Sequence, residues 1–124
     1  KISEKFTVTY NGTINKTKLW DGFKNIASKN WWGSAIYMNY DPVHWLGLTI
    51  REEYFSDKNH LKLPVNASGA SILASTFSAN FKVDGFIFIS EIRVDHSSKQ
   101  IFLNSEGNGS RSAANLLFAA IYFF

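Results

Sequence analysis

Alternation with a period of two residues opens the chain. Ile2, Phe6, Val8 and Tyr10 fall on one side of an extended segment and Ser3, Lys5, Thr7 and Thr9 on the other, which predicts a half-buried strand from Ile2 to Tyr10. Glu4 lies on the apolar side and suits an open edge. Asn11-Gly12 marks a turn, and Asn15 or Thr17 can cap a helix whose apolar positions Leu19, Phe23 and Ile26 recur at helical spacing. Gly22 weakens that helix by about 1 kcal/mol, and Trp31-Trp32-Gly33 closes the segment.

Six further strands, or five if one pair is a single bent strand, are predicted at Ala35 to Tyr40, His44 to Glu52, His60 to Val65, Ser71 to Val83, Phe86 to Val94 and Gln100 to Asn104. Short clusters of turn residues separate them, so they read as an antiparallel meander. The sharpest signal is Asp84-Gly85, a two-residue loop that fixes register. Counted outward from it, Val83 pairs with Phe86, Phe81 with Phe88, Phe77 with Ile92 and Ser75 with Val94. The aromatics therefore collect on one face, which the alternation assigns to the buried side.

From Ser110 the pattern changes. Ser110 or Ser112 can cap a C-terminal helix in which Ala113, Leu116, Leu117, Ala120, Ile121 and Phe124 form one stripe, while Phe118 and Tyr122 make the other side apolar too. A strand over Leu116 to Phe124 is the alternative to that helix.

The order strand, helix, six strands, C-terminal helix, with Lys18-Leu19-Trp20-Asp21-Gly22-Phe23 in the first helix and Trp31-Trp32-Gly33 after it, resembles the START-like or SRPBCC superfamily. The residue-level match is confined to Leu19 through Gly33, where many members carry a Val-Trp-x-x-Leu helix and a following Trp. The resemblance implies one α+β helix-grip domain over residues 1–124, a curved seven-stranded antiparallel sheet (β-α-β6-α order) wrapped around the last helix. It also implies a cavity between sheet and helix that holds a lipid, polyketide or similar apolar molecule. The family's last helix runs several turns longer than Ser112 to Phe124. Either the chain stops short of that length, or the pocket is shallow and the Tyr122-Phe123-Phe124 end forms a contact surface for a second copy of the chain, a homodimer.

The expected ligand-binding residues are Trp32, Leu48, Ile50, Glu52, Tyr54, Phe77, Phe88, Ser90, Ile92, Leu117 and Ile121. Eleven Phe, five Tyr and four Trp exceed what a domain of 124 residues needs to close its core, and such an excess lines cavities. A cyclase or aromatase that moves protons with Glu52, Ser90 or Tyr54 is the enzymatic alternative, and an interaction domain using Phe118 to Phe124 is another. Binding without catalysis is favoured, because neither a nucleophile motif nor a phosphate loop is present.

Composition narrows the setting. A length of 124 residues suits one domain, which would bury roughly two thirds of its unfolded surface. With no cysteine, disulfides and thiolate metal sites are excluded and a cytoplasmic location is expected. The net charge of +3 is dispersed, without the basic run of a nucleic-acid binder. His44, His60 and His96 have no second ligand at metal-binding spacing, so neither a metal nor a cofactor is expected. Four Asn-x-Ser/Thr triplets, at Asn11, Asn15, Asn66 and Asn108, read as turn and cap chemistry rather than glycosylation sites. The apolar stretch Leu116 to Phe124 is too short for a membrane helix, which needs about 20 residues, so no integral membrane segment is expected. Lys1 is not a methionine, which leaves room for a natural start upstream.

Overall fold

The computed structural model describes residues 2–18, 22, 28–59, 61–63 and 69–124. Its elements are all strands: β1 (Phe6–Thr17), β2 (Lys29–Val43), β3 (Leu46–Ser56), β4 (Ser71–Val83), β5 (Phe86–Ser97), β6 (Phe102–Leu103), β7 (Gly109–Ser110) and β8 (Ser112–Tyr122). Six form one antiparallel sheet in the order β1-β2-β3-β4-β5-β8, and β6 and β7 form a small separate hairpin. The six strands are 11 to 15 residues long, about twice the usual 5–6.

The β4–β5 hairpin follows the register expected from Asp84-Gly85: Val83 pairs with Phe86, Phe81 with Phe88, Phe77 with Ile92 and Ser75 with Val94. Both turn residues have positive φ, 42° at Asp84 and 82° at Gly85, the conformation whose twist matches the flanking strands. At the same end of the sheet His44-Trp45 joins β2 to β3, with a register shift between Tyr40 and Val43. The other connections, 18–28, 57–70 and 98–111, are far longer and all lie at the opposite end.

Several sequence expectations fail here. The α+β helix-grip fold is replaced by an all-strand one. The expected C-terminal helix is strand β8, with Phe86 opposite Tyr122 and His96 opposite Ser112 at the two ends of its ladder with β5. Alanine and leucine favour helix only weakly per residue, and a full ladder beside β5 outweighs that preference. The segment that is apolar on every side of a helix becomes a strand that is apolar on both faces. Third, Asn11-Gly12 is no turn: β1 runs through it, Asn11 opposite Ala35 and Gly12 opposite Ser34. Asn15 and Thr17, the expected caps, are also paired in β1. The middle of the expected first helix, including Leu19, Phe23 and Ile26, lies outside the described residues, as do His60, Pro64 and Val65 of the strand expected from His60 to Val65. Leu61–Leu63, its described part, is not strand.

The sheet lacks the interior of a soluble domain. Among the described residues the only buried apolar side chains are Ala70 and Ala74, and the largest fully buried ones are Asp57, Ser56 and Ser97. The face carrying Ile50, Phe77 and Ile92 is the open one, with those residues 43%, 45% and 44% exposed. Directly across the sheet, Thr76, Ser78 and Asp95 are 4%, 8% and 9% exposed. The register fixes which side chains share a face, and exposure shows that the expected assignment of inside and outside is inverted.

Candidate functional site

Because paired residues in an antiparallel ladder point the same way, the two faces can be followed across all six strands. One row of the apolar face reads Val8, Met38, Ile50, Phe77, Ile92, Leu116. Aromatic rings gather at both ends of this face. Near the short turns, Trp45 stacks on Phe81 with centroids 6.5 Å apart, while Phe86 meets Tyr122 at 4.7 Å and Tyr122 meets Phe124 at 6.1 Å in tilted contacts. Toward the long connections, Trp32 meets Tyr54 at 4.9 Å, with Tyr10 on the same face.

The opposite face is polar. The row behind the one above reads Thr9, Tyr37, Arg51, Thr76, Arg93, Asn115, and the next Asn11, Ala35, Glu53, Ala74, Asp95, Ala113. The small side chain of Ala74 lets Glu53 reach across from β3 to β5. Its Oε2 accepts from Arg93 Nη1 at 3.0 Å and lies 3.2 Å from Arg51 Nε, while Arg93 Nε donates to Asp95 Oδ1 at 2.9 Å. Arg51 Nε is buried and makes no hydrogen bond, so its contact with Glu53 is electrostatic only; Arg51 Nη2 donates to Thr76 Oγ1 at 3.4 Å. One row nearer the short turns, Ser78 donates to Glu91 at 2.7 Å and Thr49 to Asn39 at 2.9 Å. Counted over the strands, this face carries Lys29, Arg51, Lys82 and Arg93 against Asp41, Glu53, Glu91 and Asp95, so its charges cancel.

At the end of β3, Asp57 organises the connection that follows. Its carboxylate accepts from the backbone N–H groups of Leu61, Lys62 and Leu63 at 2.8, 2.7 and 2.8 Å. The turn this imposes brings Lys62 Nζ to 5.8 Å from the ring centroid of Trp31, on the polar face.

An exposed apolar band edged by aromatics, backed by an enclosed polar face, is the arrangement a sheet needs in a bilayer. A spanning strand tilted by about 45° needs about 9–11 residues, which every one of the six strands supplies. The short turns at one end and long connections at the other also agree with transmembrane barrels. No helix among the described residues is long and apolar enough to cross a membrane. A family model described as "Putative beta-barrel porin-2, OmpL-like" matches residues 1–124. The chain belongs to that porin family. Neither a curated protein sequence nor a solved structure matches it.

Membership in the porin family overturns the START-like or SRPBCC resemblance, and with it the cytoplasmic location, the absence of an integral membrane segment and the cavity for an apolar ligand. The residues expected to line that cavity are divided by the sheet. Trp32, Leu48, Ile50, Glu52, Tyr54, Phe77, Phe88, Ser90 and Ile92 share the apolar face, whereas Leu117 and Ile121 lie on the polar one. Without a helix opposite them the first nine form a surface. Glu52, one of three proton movers in the enzymatic alternative, accepts a hydrogen bond of 2.7 Å from Ser75 beside it, and Ser90, another, stands two rows away. Tyr122 and Phe124, expected at a dimer contact, belong to the aromatic band.

The ionic network escaped sequence reading because its members are scattered from residue 51 to residue 95. The signal was present in the alternation itself: charges at Arg51 and Glu53, and again at Glu91, Arg93 and Asp95, all sit at spacing two on the same side.

Proposed function

We propose that the chain builds an outer-membrane β-barrel channel, the six strands supplying an arc of its wall, with the apolar face toward lipid and the polar face toward a water-filled lumen. The observation that carries this reading is the inverted exposure of the sheet, apolar outside and charged within. In a soluble protein that arrangement would forfeit the main driving force for folding, whereas in a bilayer it satisfies both faces. Membership in the porin family supports the same conclusion. The short turns His44-Trp45 and Asp84-Gly85 then face the periplasm and the long connections the exterior. Single-chain barrels have eight strands or more, so β1 and β8 are edges that further pairing closes.

Refolding the full chain in detergent and adding it to a planar bilayer tests the proposal. Discrete current steps, linear with voltage and only weakly ion-selective because the wall charges cancel, are expected. A protein that stays soluble and monomeric without detergent and gives no steps would overturn it.

A further inference from the structure

The polar face carries three aromatic rings that neither its ionic network nor a lipid contact explains. Trp31 and Tyr37 lie on β2, and Phe55 on β3. Between the two rings of β2 stand Gly33 and Ala35, the smallest side chains on that stretch, so Trp31 and Tyr37 flank a shallow floor. Their Cα atoms are about 20 Å apart along the strand. Phe55 closes one side, its ring centroid 5.7 Å from that of Trp31, and Asn11 and Thr13 of β1 line the other. The resulting open groove has a volume of about 240 Å³ and is lined in part by Glu53, whose carboxylate the guanidinium of Arg93 already engages.

We propose that this groove is a binding site for neutral oligosaccharides on the lumen wall, an inference that rests on the channel reading above. Flat rings with electron-rich faces attract the weakly positive C–H edges of a sugar ring. A few placed amide, hydroxyl and carboxylate groups then fix its hydroxyls. An elongated groove with rings at its ends fits a chain of sugar rings better than one. The charge of its lining is already balanced: among the described residues that line it Glu53 is the one charged side chain, and it is paired with Arg93. Uncharged polyols therefore lose less here than ions would.

The test uses open channels in planar bilayers with maltohexaose and cellohexaose added, reading block as a fraction of each variant's own current. Block of the wild type by at least one sugar is expected. A half-blocking concentration raised about tenfold in Trp31→Ala, equivalent to 1.4 kcal/mol, and in Gly33→Leu supports the site. Gly33→Leu keeps every ring but fills the floor, and its Cβ would be in ordinary contact with Tyr54 O at 3.4 Å and Phe55 Cδ2 at 3.6 Å. Trp32→Phe, on the lipid face, should block like the wild type. A conducting wild type that neither sugar blocks overturns the saccharide site and leaves the channel standing. If no channel forms, the channel reading fails and tryptophan quenching by the same sugars in micelles decides the groove: quenching lost in Trp31→Ala supports it, and no quenching of the wild type overturns it.

Discussion

Neighbouring residues of one strand occupy opposite environments in this protein. On β3, Ile50 points into the open apolar face, while Thr49 and Arg51 on either side of it belong to the enclosed polar wall. The backbone and its hydrogen bonds are shared, so everything that distinguishes the two positions is the solvent each meets. Period-two alternation is therefore a statement about two environments, and it does not say which is water.

The strongest way to break the comparison is to exchange one charge for the other environment. Ile50→Arg puts a guanidinium near the middle of the apolar band and is expected to cost about 2–4 kcal/mol in a bilayer. Thr49→Arg, one residue away, loses its 2.9 Å bond to Asn39 but keeps the charge in water. Urea titration of the protein refolded in lipid vesicles should separate the two variants clearly. Equal destabilisation would mean that both faces are wet and that the sheet does not sit in a bilayer.

A smaller effect is expected where both faces share one constraint, the hairpin turn. Gly85 has φ of 82°, and a Cβ there would also approach Phe123 O at 3.2 Å. Gly85→Val should therefore cost about 1–2 kcal/mol from the left-handed backbone alone. A lower refolding yield is expected, with channels of normal conductance from the fraction that folds. A variant that refolds as efficiently as the wild type would remove the turn from the features that set register.

Smaller again for the barrel, and larger for its mouth, is the effect of Asp57. Asp57→Ala strips the acceptor from three backbone N–H groups of Leu61, Lys62 and Leu63. Bonds to a charged acceptor contribute about 1.5–3 kcal/mol each. That loss falls on the connection rather than the ladders, so tryptic cleavage after Lys62 should accelerate while the urea midpoint stays near that of the wild type. Unchanged cleavage would show that other contacts hold the segment.

How much of this was legible depends on which property is asked for. The β4–β5 register could be read from Asp84-Gly85 and two agreeing alternations, because a two-residue turn leaves the ladder no freedom. The first strand, expected from Ile2 to Tyr10, starts at Phe6 and runs seven residues further, to Thr17, since Asn11-Gly12 is a turn signal that twelve paired positions override. β8 reads first as a helix, with a strand over Leu116 to Phe124 only as the alternative, because Ala113 to Ala120 has helix-forming composition and its pairing with β5 is a long-range fact. The binding residues were chosen mostly by apolarity, which in this sheet puts nine of the eleven on the lipid side and only Leu117 and Ile121 on the polar one. The groove of Trp31, Tyr37 and Phe55 went unread because its rings stand on the face otherwise recognised by polar residues.

The gentlest change sharpens the comparison from the polar side alone. Glu53→Gln removes one of the four negative charges on the wall and leaves Arg51 and Arg93 facing a neutral amide. With side chains about one-third exposed, the pair contributes on the order of 0–1 kcal/mol to stability, so the folded fraction should hardly move. Selectivity should respond, because four positive charges then face three negative ones and the wall gains a net attraction for anions. The reversal potential under a salt gradient should shift toward the anion value, more at 0.1 M than at 1 M salt, since the screening length falls from about 10 Å to about 3 Å. A variant that stays unselective at low salt would place Glu53 away from the conducting path, leaving the network only a packing role between β3 and β5.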